Sequence, residues 1–171
     1  GMIALDMHPD DVVYCTLPLY HATGLCVCWG SAVSGASGFA IRRKFSASRF
    51  WHDVRKYRAT TIGYVGELCR YLVDQPPSVD DSRHTVTKMI GNGLRPGAWN
   101  EFKTRFAVNH ICELYAASDG NIGFTNILNF DNTIGFSLMS WELVAYDHDS
   151  GAPIRESNGL MRKVAKGEQG L

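Results

Sequence analysis

Two periodicities alternate along this chain, and the alternation constrains its fold more than any single residue does. Short β-branched runs at Asp11 to Leu17, Gly38 to Ile41, Thr60 to Tyr64, Thr85 to Ile90 and His110 to Tyr115 read as strands. Between them apolar residues recur every three or four positions. After Ser46, a serine suited to an N-cap, Phe50, Trp51, Val54 and Tyr57 share one helical face, and Arg55, Lys56 and Arg58 sit where cations favour a helix end. Gly66 to Asp74 brings Leu68, Tyr71 and Leu72 together before Pro76-Pro77 stops the helix. Pro96 opens a third helix, with Trp99, Phe102 and Phe106 in register and Lys103 and Arg105 near its end. Strand and helix in alternation predict an α/β fold with a mostly parallel sheet flanked by helices, because parallel strands need crossover connections.

Beyond Asp119 the pattern changes. Asn121 to Leu128 and Ser140 to Tyr146 read as strands with no helix between them, which predicts a β-rich carboxy-terminal third. The 171 residues, 45% hydrophobic, suffice for one core and predict a single domain over residues 2–171. Within it, residues 2–118 form βα units and residues 119–171 are mainly β. Gly1 before Met2 reads as the remnant of a cleaved tag. Ligands of such sheets bind beyond the carboxyl ends of the strands, so the loops Pro18 to Gly24, Tyr64 to Glu67, Gly91 to Pro96 and Tyr115 to Asn121 are expected on one rim.

Seventeen basic residues balance seventeen acidic ones, so no net field favours nucleic acid or an anionic membrane. The five cysteines form no paired CxxC ladder, which fits a reducing, cytoplasmic setting. Cys26 and Cys28 lie in an apolar stretch and read as buried side chains rather than metal ligands. Glycine and serine interrupt the apolar run Leu25 to Val33, far short of the roughly 18 residues a spanning helix needs, leaving only peripheral membrane contact open. Gly-x-Ser-x-Gly, His-Glu-x-x-His and P-loop patterns are absent, which removes the best evidence for hydrolase, zincin and P-loop readings.

Three short segments carry chemistry, and each has a plainer alternative. Leu17-Pro18-Leu19-Tyr20-His21-Ala22-Thr23-Gly24 ends a strand in a turn with an imidazole, yet His21 taken alone reads more readily as a hydrogen-bonded structural histidine. Gly91-Asn92-Gly93-Leu94-Arg95-Pro96 joins strand to helix as phosphate-binding glycine loops do, or is simply a tight turn. Ser118-Asp119-Gly120-Asn121 is a strong hairpin signal, and Asp119 could also offer a hard oxygen to Mg²⁺ while Ser118 donates to a phosphate.

In order, Leu17 to Gly24, Tyr64-Val65-Gly66-Glu67-Leu68-Cys69-Arg70-Tyr71-Leu72, Gly91 to Pro96 and Glu113 to Asn121 resemble the very-long-chain acyl-CoA synthetase and fatty-acid transport protein branch of the AMP-forming adenylating enzymes. The resemblance implies part of the large amino-terminal domain of such an enzyme. It implies a fatty-acid CoA ligase, in which the fatty acid carboxylate attacks the α-phosphate of ATP and coenzyme A then displaces AMP, with Mg²⁺ at the phosphates. It further implies that Gly91, Asn92, Gly93 and Leu94 lie against the base and acyl group and that Tyr115 stacks on adenine. Ser118 would contact phosphate, Asp119 would bind Mg²⁺, and His21 and Tyr64 would line the acyl pocket.

Three positions depart from the family's Tyr-Gly-x-Thr-Glu. Asp119 stands for glutamate and retracts its carboxylate by about 1.5 Å, Ala116 stands for a glycine free to take positive φ, and Ser118 stands for threonine. Neither the family's upstream phosphate loop nor its Thr-Gly-Asp motif and catalytic lysine occurs in these residues. The expectation is a central fragment, inactive alone, without tightly bound ATP, AMP, CoA or Mg²⁺, and self-associating through faces that other segments would cover. The alternatives are a non-catalytic remnant that binds acyl chains or a partner protein, and a stand-alone nucleotide-binding module.

Overall fold

The computed structural model describes residues 5–117, 120 and 122–170. The chain divides into two compact units, Gly1–Ser137 and Leu138–Leu171. In the first, the strands are β1 (Val12–Cys15), β2 (Gly38–Ile41), β3 (Thr61–Val65), β4 (Lys88–Asn92), β5 (His110–Ala116) and β6 (Gly123–Thr125). They form one sheet in the order β2-β1-β3-β4-β5-β6, parallel throughout except for antiparallel β6. A π-helical segment, Thr23–Trp29, runs into α1 (Gly30–Ser34), followed by α2 (Ala47–Lys56), α3 (Gly66–Val73) and α4 (Pro96–Thr104). The expected α/β architecture is present.

Alternation along each strand splits the core in two. Tyr14, Ile62, Tyr64, Met89 and Ile111 face one side, where Phe50 and Val54 of α2, Cys69 and Leu72 of α3, and Trp99 and Phe102 of α4 close over them. Val13, Cys15, Ile90 and Cys112 face the other, against Cys28 and Ala32. A buried ion pair pins the amino ends of the strands: Lys88 Nζ lies 2.8 Å from Asp11, which also accepts from Thr60 Oγ1 at 2.6 Å and from the His8 amide at 2.9 Å. Burial alone would raise the Asp11 pKa, but Lys88, Thr60 and His8 outweigh it and hold the carboxyl below its usual value.

Several boundaries differ from expectation, each for a local reason. The fourth strand was expected over Thr85 to Ile90 but begins at Lys88, because the Val86 amide donates to the His84 ring and Thr85 Oγ1 to the Ala59 carbonyl. It therefore extends to Asn92, which pairs with Val65. Ser46 occupies the N-cap of α2 with extended backbone, but its hydroxyl lies 3.3 Å from Ser48 Oγ and caps no amide. Asn121 to Leu128 shortens to β6, since buried Asn126 exchanges hydrogen bonds with the Phe130 amide and carbonyl and turns the chain away. Ser140 to Tyr146 forms no regular strand; in the second unit Val144, Tyr146 and Arg155 make isolated bridges to Lys163, Pro153 and Met161. The helical segment from Thr23 to Ser34 has no named counterpart in the sequence reading. No helix among the described residues is long and apolar enough to cross a membrane.

Candidate functional site

The strand order reverses beside β1: the chain steps from β1 outward to β2, then returns across it to β3. A crevice opens beyond the carboxyl ends of strands at such a switch point. A cavity of about 540 Å³ lies there, lined by Leu17, Pro18 and His21 after β1, Thr23 and Val27 of the π-helical segment, and Val65, Asn92, Leu114 and Ala116 from the strands. Its walls are mainly apolar, and its volume suits a small-molecule site. Thr23 Oγ1 donates to Asn92 Oδ1 at 3.2 Å, tying the π-helical segment to β4 across it.

A second cavity, also about 540 Å³, is lined by Val65, Gly66, Glu67, Arg70, Asn92, Gly93 and Arg95. It brings two guanidinium groups to the α3 side of the sheet edge. Val65 and Asn92 belong to both linings and form the wall between the cavities. The turns after β3 and β4 meet closely, because a Cβ on Gly66 would come within 1.8 Å of the Gly93 carbonyl. Gly93 takes φ of +80°, which glycine adopts without strain.

Behind this wall lies Glu113, only 4% exposed. Its carboxylate accepts from the Tyr64 hydroxyl at 2.5 Å, from the Gly93 amide and from the Leu94 amide at 3.2 Å. Burial raises the Glu113 pKa, with the three hydrogen bonds opposing, and burial beside Glu113 pushes the Tyr64 phenol well above its usual value. The Gly91 to Leu94 turn therefore differs from a phosphate-binding loop in one respect: its two successive amides already hold an anion from the chain itself.

The structure brings some expected site residues together and separates others. His21, exposed, and Asn92 line the apolar cavity. Tyr64 does not; it is 2% exposed within the opposite core, and its neighbour Val65 reaches the cavity instead. Strand alternation explains the correction, since adjacent residues face opposite sides. Gly91 is buried in β4, and Leu94 packs on the core beneath α4. Tyr115 is 54% exposed and shares a strand face with Glu113, so it stands on the side of the Gly93–Leu94 turn. Ala116 continues β5, paired with Gly123, and is not among the residues with positive φ, so no strain attaches to its methyl, which faces the apolar cavity. Ser118 and Asp119 lie outside the described residues, and among those described no three His, Cys, Asp or Glu side chains gather where they could hold a metal. Sequence reasoning missed Glu113 and Val65 as site residues. A lone glutamate in an otherwise apolar strand was the available signal for the first.

Residues 2–162 match the family model described as AMP-binding enzyme. The chain belongs to the AMP-binding enzymes. Among curated members, it is 46% identical over 171 residues to the medium/long-chain-fatty-acid–CoA ligase FadD6 of Mycobacterium tuberculosis, spanning all of this chain and 29% of that protein. It is 46% identical over 168 residues to long-chain fatty acid transport protein 2 of Rattus norvegicus, spanning 94% of this chain and 27% of that one. The chain thus spans less than a third of these relatives' length. The solved structure of ATP-bound MatB from Rhodopseudomonas palustris superposes with a TM-score of 0.73 over 98% of this chain and 32% of its own, at 19% identity, a likeness of fold. The sheet and its helices are those of the large amino-terminal domain of adenylating enzymes.

Proposed function

We propose that this chain carries the acyl pocket and the adenine-facing turn of an AMP-forming fatty-acid CoA ligase acting on long or very long chains. The observation that carries this reading is the mainly apolar cavity at the switch point, divided by Val65 and Asn92 from a second cavity on the strand face where Glu113 and exposed Tyr115 lie. An acyl chain fits the apolar side, with His21 at its rim toward the carboxylate. Adenine fits against Tyr115 and the turn. Fatty acid carboxylate and the α-phosphate of ATP would then meet at the shared wall, where attack gives acyl-adenylate and pyrophosphate, and the thiol of CoA then displaces AMP. The reading assigns the phosphates to Ser118 and Mg²⁺ to Asp119, and derives no step through the metal. The relatives named as fatty-acid CoA ligase and fatty acid transport protein support the substrate class.

The test is ATP–pyrophosphate exchange with a long-chain fatty acid. These residues alone are expected to give none, because no glycine-rich phosphate loop of the family and no catalytic lysine motif occurs among them. The same residues within a longer polypeptide that supplies those motifs are expected to give exchange with Asp119 and Ala116 intact. Exchange only after Asp119→Glu with Ala116→Gly would favour a non-catalytic remnant instead.

A further inference from the structure

We propose that Glu113 is a positioning residue: its buried carboxylate, braced by Tyr64, holds the Gly93–Leu94 turn and thereby fixes Asn92, the residue before it, in the wall that the two cavities share. Its functional meaning rests on the ligase reading above; its geometry does not.

Three observations carry the inference. First, β4 ends at Asn92, so the next two amides have no strand partner, and both point at Glu113. Successive amides around a residue of positive φ form a concavity suited to an anion, and here a side chain fills it. Second, packing alone does not call for a carboxylate at this position. A buried charge is costly unless fully hydrogen-bonded, and an apolar residue of similar volume would fill the space more cheaply. Tyr64 supplies the third hydrogen bond, from a ring fixed within the core. Third, the turn cannot relax toward β3, because Gly66 already sits against the Gly93 carbonyl, and Asn92 immediately before it is latched by Thr23. The turn is thus held on three sides. Loss of the carboxylate would free the turn that follows Asn92, one of the two residues lining both cavities.

Amide hydrogen exchange on the folded chain tests this directly, with a fluorescent long-chain fatty acid as probe of the apolar cavity. Glu113→Ala is expected to speed exchange at Gly93 and Leu94 by about tenfold or more, as loss of about 1.4 kcal/mol of local protection would, while Met89 and Ile111 keep theirs. Glu113→Gln retains an acceptor oxygen and is expected to restore most of the protection. Glu113→Asp, retracted by about 1.5 Å, is expected to fold yet leave both amides fast, which covers the case in which the alanine variant does not fold. The probe is expected to bind several-fold more weakly to the aspartate variant than to the glutamine variant. Unchanged exchange at Gly93 and Leu94 in Glu113→Asp, or a rise spread evenly over the sheet, would overturn the proposal. If the probe binds nowhere in the wild-type chain while the two amides respond as stated, the acyl reading fails and the positioning role stands.

Discussion

The two faces of the sheet at its carboxyl edge are built by the same strands and differ in chemistry. On the π-helix side, Val65, Leu114 and Ala116 line an apolar cavity with one cross-cavity hydrogen bond, Thr23 to Asn92. On the α3 and α4 side, their sequence neighbours Tyr64, Glu113 and Tyr115 present a phenol, a carboxylate and an exposed ring. The side-chain period of two lets one strand present surfaces of opposite polarity on its two faces. Val65 and Asn92 line both cavities, and the turns that follow them meet at Gly66 and Gly93, where the Gly93 and Leu94 amides donate to Glu113.

Breaking the contact between these two turns is expected to give the largest effect. Gly66→Ala would force a methyl into the Gly93 carbonyl, and neither partner is a side chain that can swing away, so a loss of about 4 kcal/mol in a urea melt is expected. A wild-type midpoint would mean that the turns are not in contact. Lys88→Met serves as a comparison at the opposite end of the strands. It leaves Asp11 buried without its cation and is expected to cost about 2 kcal/mol at pH 7 while probe binding in the apolar cavity is unchanged. Because the folded-state Asp11 pKa is lowered, its contribution is present above the unfolded value and lost as pH falls through the folded one. The gap between this variant and wild type should therefore close below about pH 4, the ordinary aspartate range. A gap that persists in acid would exclude the ion pair as its cause.

Two smaller substitutions separate the faces. Val27→Lys places a charge in the apolar cavity and is expected to weaken a long-chain fatty acid probe by about tenfold, or about 1.4 kcal/mol, with Gly93 and Leu94 exchange unaltered. Equal effects on both would mean that the cavities are not independent. Thr23→Val removes one partly buried hydrogen bond and is expected to cost about 1 kcal/mol in the same melt.

The five parallel strands and the three longer helices were legible in the sequence because burial on both faces leaves short apolar runs and each helix keeps an apolar stripe. The segment Thr23–Ser34 was not, since its exposed face carries Leu25, Trp29 and Val33 and so lacks the polar stripe that marks an amphipathic helix. At the carboxyl edge of the sheet, His21 and the turn at Gly91 to Leu94 stood out by residue type, and His21 and Asn92 line the apolar cavity. Tyr64, expected at an acyl pocket from its place in the motif, lies instead in the core on the other face of β3 and is absent from the linings of both cavities. Glu113 was passed over as the first letter of a motif whose meaning lay in its later residues. Its role appears only when β4 and β5 are side by side.

The most direct test of the account is photolabelling of the chain with a long-chain fatty acid bearing a carbene precursor near its carboxylate, followed by peptide mapping. Labelling confined to Leu17–Val27 and Leu114–Ala117, and lost in Val27→Lys, is the predicted result. Labelling concentrated on the α2 and α4 surfaces, or unchanged by that substitution, would contradict it.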